Sequence, residues 1–186
     1  IAPYWYDVND NKKTWTNKQI VQRSCGKFRR EWETSSMKEK SYTPENYPIL
    51  RYGDVLLMLA EAENEAHQGP TDLAYECINE IRQRAGISKL EGLSYTDFQQ
   101  AVRDERAREL CFESLRKYDL VRWGIYVEAV HDKLGAATQD KRWATGNQFI
   151  GARDYAARTQ EKHQFLPIPT KELDVNGKLE QNKYWQ

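Results

Sequence analysis

The 186-residue sequence has no long apolar run and no excess of charge of either sign. It carries 28 basic and 28 acidic residues, so its formal net charge is zero, and its mean hydropathy is −0.89. A membrane-spanning helix needs about 18–20 consecutive apolar residues, and no apolar run in the sequence approaches that length. A nucleic-acid-binding domain usually shows a basic excess. We therefore expect one ordinary domain with neither a transmembrane helix nor a nucleic-acid partner.

Cysteine is scarce, and the common catalytic motifs are missing. Cys25, Cys77 and Cys111 lie at wide spacings without a CxxC pair. Cys77 falls on the apolar side of a predicted helix, which favours a buried free thiol over a disulfide. The patterns GxGxxG, GxSxG and HExxH and the P-loop do not occur. We expect no cofactor and no metal site, and an enzymatic function is disfavoured.

Helical periodicity begins after the first quarter of the chain. Pro48 suits a helix start and Gly69 its end, and Thr71 is a suitable N-cap for the next helix. One face of that second helix carries apolar residues at i, i+3, i+4, i+7 and i+11: Ala74, Cys77, Ile78, Ile81 and Ala85. Residues 49–86 are thus predicted to form one tetratricopeptide-type helical hairpin. A single hairpin needs further helices packed against it to bury both of its faces. The chain also begins IAPYWYDV without a signal sequence, so we interpret it as a piece of something longer.

The remaining segments complete a mostly α-helical prediction with long irregular loops. A third helix is expected from its N-cap Ser94 to about residue 116, and a fourth over 117–133. The sequence predicts an aromatic loop region at residues 1–47, with a short strand at 27–33, and a helical core at 48–133. A loop excursion is expected at 134–164 and a closing segment at 165–186, in which Thr170 caps one helical turn.

Three glutamates stand at i, i+4 and i+8 in the stretch ERARELCFESLRKYDLVRWG. A di-metal site would need Glu-x-x-His motifs, which the stretch lacks, and a glycosidase pair would need two carboxylates flanking a cleft. Each glutamate instead has an arginine three residues away. The pattern favours structural ion pairs among these six residues: Glu105, Arg106, Arg108, Glu109, Glu113 and Arg116.

Four segments, in this order, carry a family resemblance: YPILRYGDVLLMLAEAENE, CINEIRQRAGI, ERARELCFESLRKYDLVRWG and FLPIPTKELDVNGKLEQN. Together they resemble the C-terminal part of the SusD/RagB family, over about residues 47–182. Ser114 stands where the family usually has glycine, and Gly177 where proline commonly follows asparagine.

The resemblance implies a lipid-anchored, cell-surface protein of the bacterial outer membrane that is not an enzyme. It implies tetratricopeptide-type hairpins topped by ligand-binding loops, a glycan or peptide ligand, and a SusC-like TonB-dependent transporter as partner. Family members are at least about twice as long as this chain. The N-terminal portion, with its lipid-bearing cysteine, is therefore expected to be absent here and to be a further partner of this chain.

Sugar rings stack on aromatic side chains, while amides and carboxylates bind their hydroxyls. The segment PYWYDVNDNKKTW offers that mixture, and a second group lies in the excursion. The candidate ligand residues are Trp5, Tyr6, Asn9 and Trp15, with Asp7 and Asn11 as further hydrogen-bonding groups, and Trp143 and Tyr155 with Asn147. The same aromatics could instead be packing residues, and Trp123 is expected in the core.

Two other functions remain compatible with the residues. A helical-repeat adaptor could bind a peptide in a groove, and a secreted helical glycoside hydrolase could use the glutamates of the charged stretch.

Overall fold

The computed structural model describes residues 4–6, 9, 11–16, 25–29, 32–34, 44, 46–137 and 147–186. The chain divides into two compact units, residues 25–116 and residues 1–24 with 117–186. Helices dominate the described residues, which confirms the predicted mostly α-helical class. None of the described helices is long and apolar enough to cross a membrane.

Three helices form the unit of residues 25–116: α1 (Tyr52–His67), α2 (Asp72–Arg84) and α3 (Tyr95–Glu109). The predicted caps are present, since Thr71 Oγ1 accepts from Ala74 N at 3.1 Å and Ser94 Oγ accepts from Asp97 N at 3.2 Å. These side chains satisfy backbone donors that the first helical turn leaves unpaired. Helix α1 begins four residues after Pro48, and the predicted hairpin over residues 49–86 is confirmed.

The core of this unit lies where the three helices meet. Its buried residues are Leu56, Leu57, Ala60, Ala74, Cys77, Ile78, Ile81, Phe98 and Val102. Tyr75 packs its ring edge against Phe98, with ring centroids 5.0 Å apart. Cys77 is a buried free thiol, as predicted, and burial raises its pKa. Ala85, predicted on the apolar face of α2, is exposed because α2 has already ended.

Helix α3 ends at Glu109, earlier than the predicted residue 116. The side chains of Lys27 and Arg51 donate to the Glu109 carbonyl oxygen at 2.6 and 2.5 Å, so cations take the place of the next turn's N–H groups. Phe112 and Ser114 then adopt left-handed φ values of 68° and 62°, which no helix accommodates. Glu113 consequently lies on a turn rather than on the helix.

The predicted strand at residues 27–33 is wrong, because none of the residues described there is extended in a sheet, and Trp32 N donates to Arg29 O at 2.9 Å. Strands occur instead near the start of the chain, in the other unit. β1 (Tyr4–Tyr6) and β2 (Lys12–Thr14) pair antiparallel with Tyr4 opposite Thr14. Aromatic residues favour extended backbone, so this pairing has a local basis.

The predicted helix over 117–133 is interrupted. α4 (Arg116–Arg122) ends before Gly124, whose φ is 70°, and α5 (Tyr126–Ala129) continues into a π-helical turn (Val130–Leu134) and α6 (Gly135–Ala137). Leu120, Tyr126, Val130 and Ala156 form the second core, and Trp123 packs against it half-buried.

The predicted irregular excursion at 134–164 is wrong in part. α7 (Asn147–Arg158) and a 3-10 turn (Glu161–Gln164) occupy its second half. α8 (Thr170–Val175) follows Pro169, so Thr170 is the first residue of the helix and not its cap.

Candidate ligand-binding cleft

A cleft of about 400 Å³ opens in the unit formed by residues 1–24 and 117–186. Its walls come from α4, the start of α5, the C-terminal end of α7 and the segment 163–185. The aromatic lining residues are Tyr126, Tyr155, Phe165 and Trp185, and the charged or titratable ones are Lys117, Asp154, Arg158 and His163. Small-molecule sites usually enclose about 300–1,000 Å³, so the cleft is large enough for a ligand.

Helix α7 supplies polar and aromatic groups from its last turn. Asp154 and Arg158 are four residues apart, so both lie on one side of the helix, and Tyr155 stands beside them. The helix end is held in place at Thr159, whose Oγ1 donates to Tyr155 O at 2.7 Å. His131 Nε2 donates to Thr159 O at 2.8 Å, which ties this end to the π-helical turn.

Two tyrosines form the inner wall of the cleft. Tyr126 is buried, Tyr155 is 49% exposed, and their hydroxyls share a short hydrogen bond. Burial and this hydrogen bond raise the pKa of Tyr126 to about 12, so its phenol stays protonated near neutral pH. The hydrogen bond to Tyr126 also holds the half-exposed Tyr155 in place at the wall of the cleft.

Trp185 is also fixed in orientation. Its indole Nε1 donates to the carbonyl oxygens of Lys162 and Phe165, both at 3.0 Å. His163 packs edge-on against the indole with centroids 6.1 Å apart, and its Nδ1 accepts from Gln160 N at 2.8 Å. A rigid aromatic ring loses little conformational entropy when a ligand stacks on it.

One of the predicted ligand residues, Tyr155, lines this cleft. Trp5 and Tyr6 lie in β1, Asn9 in the following turn, and the half-buried Trp15 directly after β2. Among the remaining candidates, Asn11 is exposed and lies just before β2, and Asn147 is the first residue of α7. Asp7 and Trp143 lie outside the described residues.

Sequence reasoning missed Lys117, Arg158, Phe165 and Trp185, although one pattern pointed to part of this set. Asp154 and Arg158 stand at helical spacing in NQFIGARDYAAR, and a helix prediction there would have placed both on one side. Trp185 carries no such local pattern.

An ion-pair cluster in the other unit comprises Asp54, Glu105, Glu109 and Glu113 with their basic partners. Glu105 accepts from Arg82 Nη1 at 2.8 Å and, more weakly, from Arg108 Nη1 at 3.5 Å, the partner expected from the spacing. Arg106 reaches α1 instead, with its Nη1 2.8 Å from Asp54 Oδ1.

The second half of the cluster joins distant parts of the chain. Glu109 binds Arg51 and, at 2.5 Å, Arg84 Nη2, while Glu113 binds Lys27 and, at 2.7 Å, Arg51 Nε. Burial alone would raise the pKa of both glutamates, but hydrogen bonds from these cations outweigh it and hold each pKa below its ordinary value.

Two further residues complete the surroundings of the cluster. Arg116, predicted to pair with Glu113, donates to Arg103 O at 3.1 Å. Gly53 leaves room for the cluster, because a Cβ there would lie 2.9 Å from Arg51 Nη1 and 3.0 Å from Glu109 Oε1.

The chain belongs to the SusD family, whose sequence profile matches residues 2–185. It is 40% identical over 139 residues to SusD-like protein P25 of Formosa agariphila, covering 73% of this chain and 23% of P25. SusD-like protein P2 of the same organism is 29% identical over 148 residues, covering 74% of this chain and 25% of P2. The chain thus spans about a quarter of the length of these relatives.

Solved structures share both fold and sequence with this chain. A SusD homologue from Bacteroides thetaiotaomicron has a TM-score of 0.66 at 36% identity, covering 82% of this chain and 30% of that one. A SusD superfamily protein from Bacteroides vulgatus has a TM-score of 0.57 at 30% identity, with coverages of 78% and 29%. The resemblance that the four sequence segments indicated is therefore confirmed.

Proposed function

We propose that this chain is part of a non-catalytic protein that binds an oligosaccharide or polysaccharide at the bacterial outer-membrane surface and delivers it to a SusC-like TonB-dependent transporter. The cleft lined by Tyr155, Phe165 and Trp185 carries the proposal, together with membership of the SusD family. Aromatic faces suit the C–H faces of sugar rings, and Asp154 and Arg158 can accept from and donate to ring hydroxyls.

The proposal extends to the parts of the protein that this chain does not include. Since the chain spans about a quarter of its relatives, we propose that a preceding portion completes the helical body and carries the lipid anchor. We retain the division into an aromatic region at 1–47, a helical core at 48–133, an excursion at 134–164 whose second half is helical, and a closing segment at 165–186 as part of this proposal.

The ion-pair cluster supports a structural role for the glutamates rather than a hydrolytic one. A glycosidase general acid needs a raised pKa, whereas basic partners lower the pKa values of Glu109 and Glu113. A peptide-binding adaptor remains the alternative, and direct comparison of saccharides with peptides separates the two.

The test is calorimetric titration of the complete protein with a panel of oligosaccharides and peptides. Loss of a binding hot spot costs about 2 kcal/mol or more, so Trp185→Ala should weaken saccharide binding at least about tenfold. Tyr155→Ala should act in the same direction, and its half-exposed position makes misfolding less of a concern. Trp32→Ala is the matched control, since Trp32 is 61% exposed and belongs to the other unit.

Unchanged affinity of both cleft variants for every bound sugar would refute the cleft as the site. Tighter binding of peptides than of any saccharide would favour the adaptor. For the delivery step, we expect a SusC-like barrel to co-purify with the complete protein from outer membranes. Deleting the barrel should leave surface binding of the glycan intact and stop its import.

A further inference from the structure

Among the described residues, two cations that line the cleft, Arg158 and Lys117, contact no carboxylate, unlike the basic residues of the ion-pair cluster. In the ion-pair cluster, Lys27, Arg51 and Arg84 each contact a carboxylate. In the part of the chain that the structure describes, the Arg158 side chain makes no hydrogen bond or ion pair. The Lys117 side chain makes only a cation–π contact with Tyr126, 5.4 Å from the ring centroid.

The carboxylate within the cleft does not neutralise these charges. Asp154 lies one helical turn from Arg158, yet among the described contacts its ion pair is with the neighbouring Arg153, at 3.4 Å. Lys162 adds a third cation next to the lining, with its Nζ 5.1 Å from the Trp185 ring centroid. The cleft therefore has two cations in its lining and a third beside it, whereas its one lining aspartate is paired with Arg153.

A surface arginine that faces only solvent would be an ordinary observation. Here, however, Arg158 lines an aromatic cleft whose rings are held rigidly by hydrogen bonds from Trp185 and Tyr126. Because the chain as a whole has zero net charge, an attraction for anions requires a local group of cations, and this cleft provides one. A guanidinium is suited to bind a planar carboxylate or a sulfate through paired N–H donors.

We infer that the cleft recognises an acidic sugar, in which a uronate carboxylate or a sulfate ester contacts Arg158 and Lys117 while the sugar ring stacks on Trp185 or Tyr155. This inference rests on the proposed function and names its substrate class. Carboxylate and sulfate offer the same anionic oxygen chemistry, so the experiment has to separate the two sources.

The test compares acidic oligosaccharides with their own neutral derivatives in the complete protein. The probes are oligogalacturonates with and without carboxyl reduction, and carrageenan oligosaccharides with and without desulfation, titrated by calorimetry. We expect at least one acidic probe to bind about tenfold more tightly than its neutral derivative, since hydrogen bonds to charged groups are the stronger ones. Loss of this preference on carboxyl reduction identifies a uronate, and loss on desulfation identifies a sulfate.

Substitutions in α7 test whether Arg158 is responsible for the preference for acidic probes. Arg158→Met should remove most of it, and Arg158→Lys should keep part of it because the charge is retained without the paired donors. Lys171→Met is the matched control, because Lys171 is an exposed cation on α8 in the same unit and does not line the cleft. Added salt should weaken binding of the acidic probe and leave that of the neutral probe unchanged.

Equal affinity for acidic and neutral probes, or equal effects of Arg158→Met and Lys171→Met, would overturn the inference. If binding then still depends on Trp185 and Tyr155, the proposed glycan-binding function stands without the acidic preference. If neither these probes nor the wider saccharide panel binds, both proposals fail together.

Discussion

Replacing Arg106 by methionine tests how much the ion-pair cluster contributes to stability. The side chains of Arg106 and Asp54 are only 5% and 8% exposed and meet at 2.8 Å. Methionine keeps most of the apolar stem but leaves the Asp54 carboxylate buried without its cation. Breaking a buried pair from one side costs about 3–5 kcal/mol. Arg108→Met is the control, because Arg108 is 61% exposed and its 3.5 Å contact is worth at most about 1 kcal/mol.

Hydrogen exchange of peptides from α1 and α3 is the suitable assay. These helices contain no tryptophan, so fluorescence of the complete protein would not isolate them. The opening free energy of their slowest amides should fall by about 3–5 kcal/mol in Arg106→Met and by less than about 1 kcal/mol in Arg108→Met. Adding Asp54→Asn to Arg106→Met should restore part of the loss. Equal small losses in both single variants would refute the reasoning.

Three further predictions concern acid stability, the role of Glu109 and the N-terminal aromatics. Because the folded pKa values of Glu109 and Glu113 lie below their ordinary value of 4.5, their stabilisation is present above that value and is lost as pH falls through the folded pKa. The urea midpoint of unfolding should therefore fall as the pH is lowered, and it should fall less steeply in the double variant Glu109→Gln/Glu113→Gln than in the wild-type protein. Glu109→Gln alone should lower the melting temperature without removing a catalytic activity, and lost turnover with unchanged melting would contradict this. If residues 4–15 form part of a sugar platform, Trp5→Ala or Trp15→Ala should weaken glycan binding more than about tenfold with helicity unchanged, and wild-type affinity in both would assign the segment to packing.

The elements that could be predicted from sequence are those whose determinants are local. Thr71 and Ser94 lie immediately before the helices that they cap, and the spacing of Cys77, Ile78 and Ile81 alone defines the buried face of α2. A short window contains all the information that such a helix needs.

Features set by distant residues could not be predicted in this way. Helix α3 stops at Glu109 because Lys27 and Arg51, 82 and 58 residues away, bind its last carbonyl. The cleft brings Lys117 together with Trp185 across most of the second unit. No local sequence pattern predicts either of these contacts. Tyr155, one of the candidate ligand residues, lines the cleft, and its role in ligand binding stays a prediction.

The space left by Gly53 has a consequence for engineering this protein. Glycine within a helix is a usual target for replacement by alanine, which commonly gains about 0.4–1 kcal/mol. A methyl group at this position would meet the Arg51 guanidinium at 2.9 Å and the Glu109 carboxylate at 3.0 Å, both held by their other contacts. The gain in helix propensity would be offset by displaced charges. A thermostabilised variant should therefore keep glycine at 53 and draw its substitutions from the exposed side of α1.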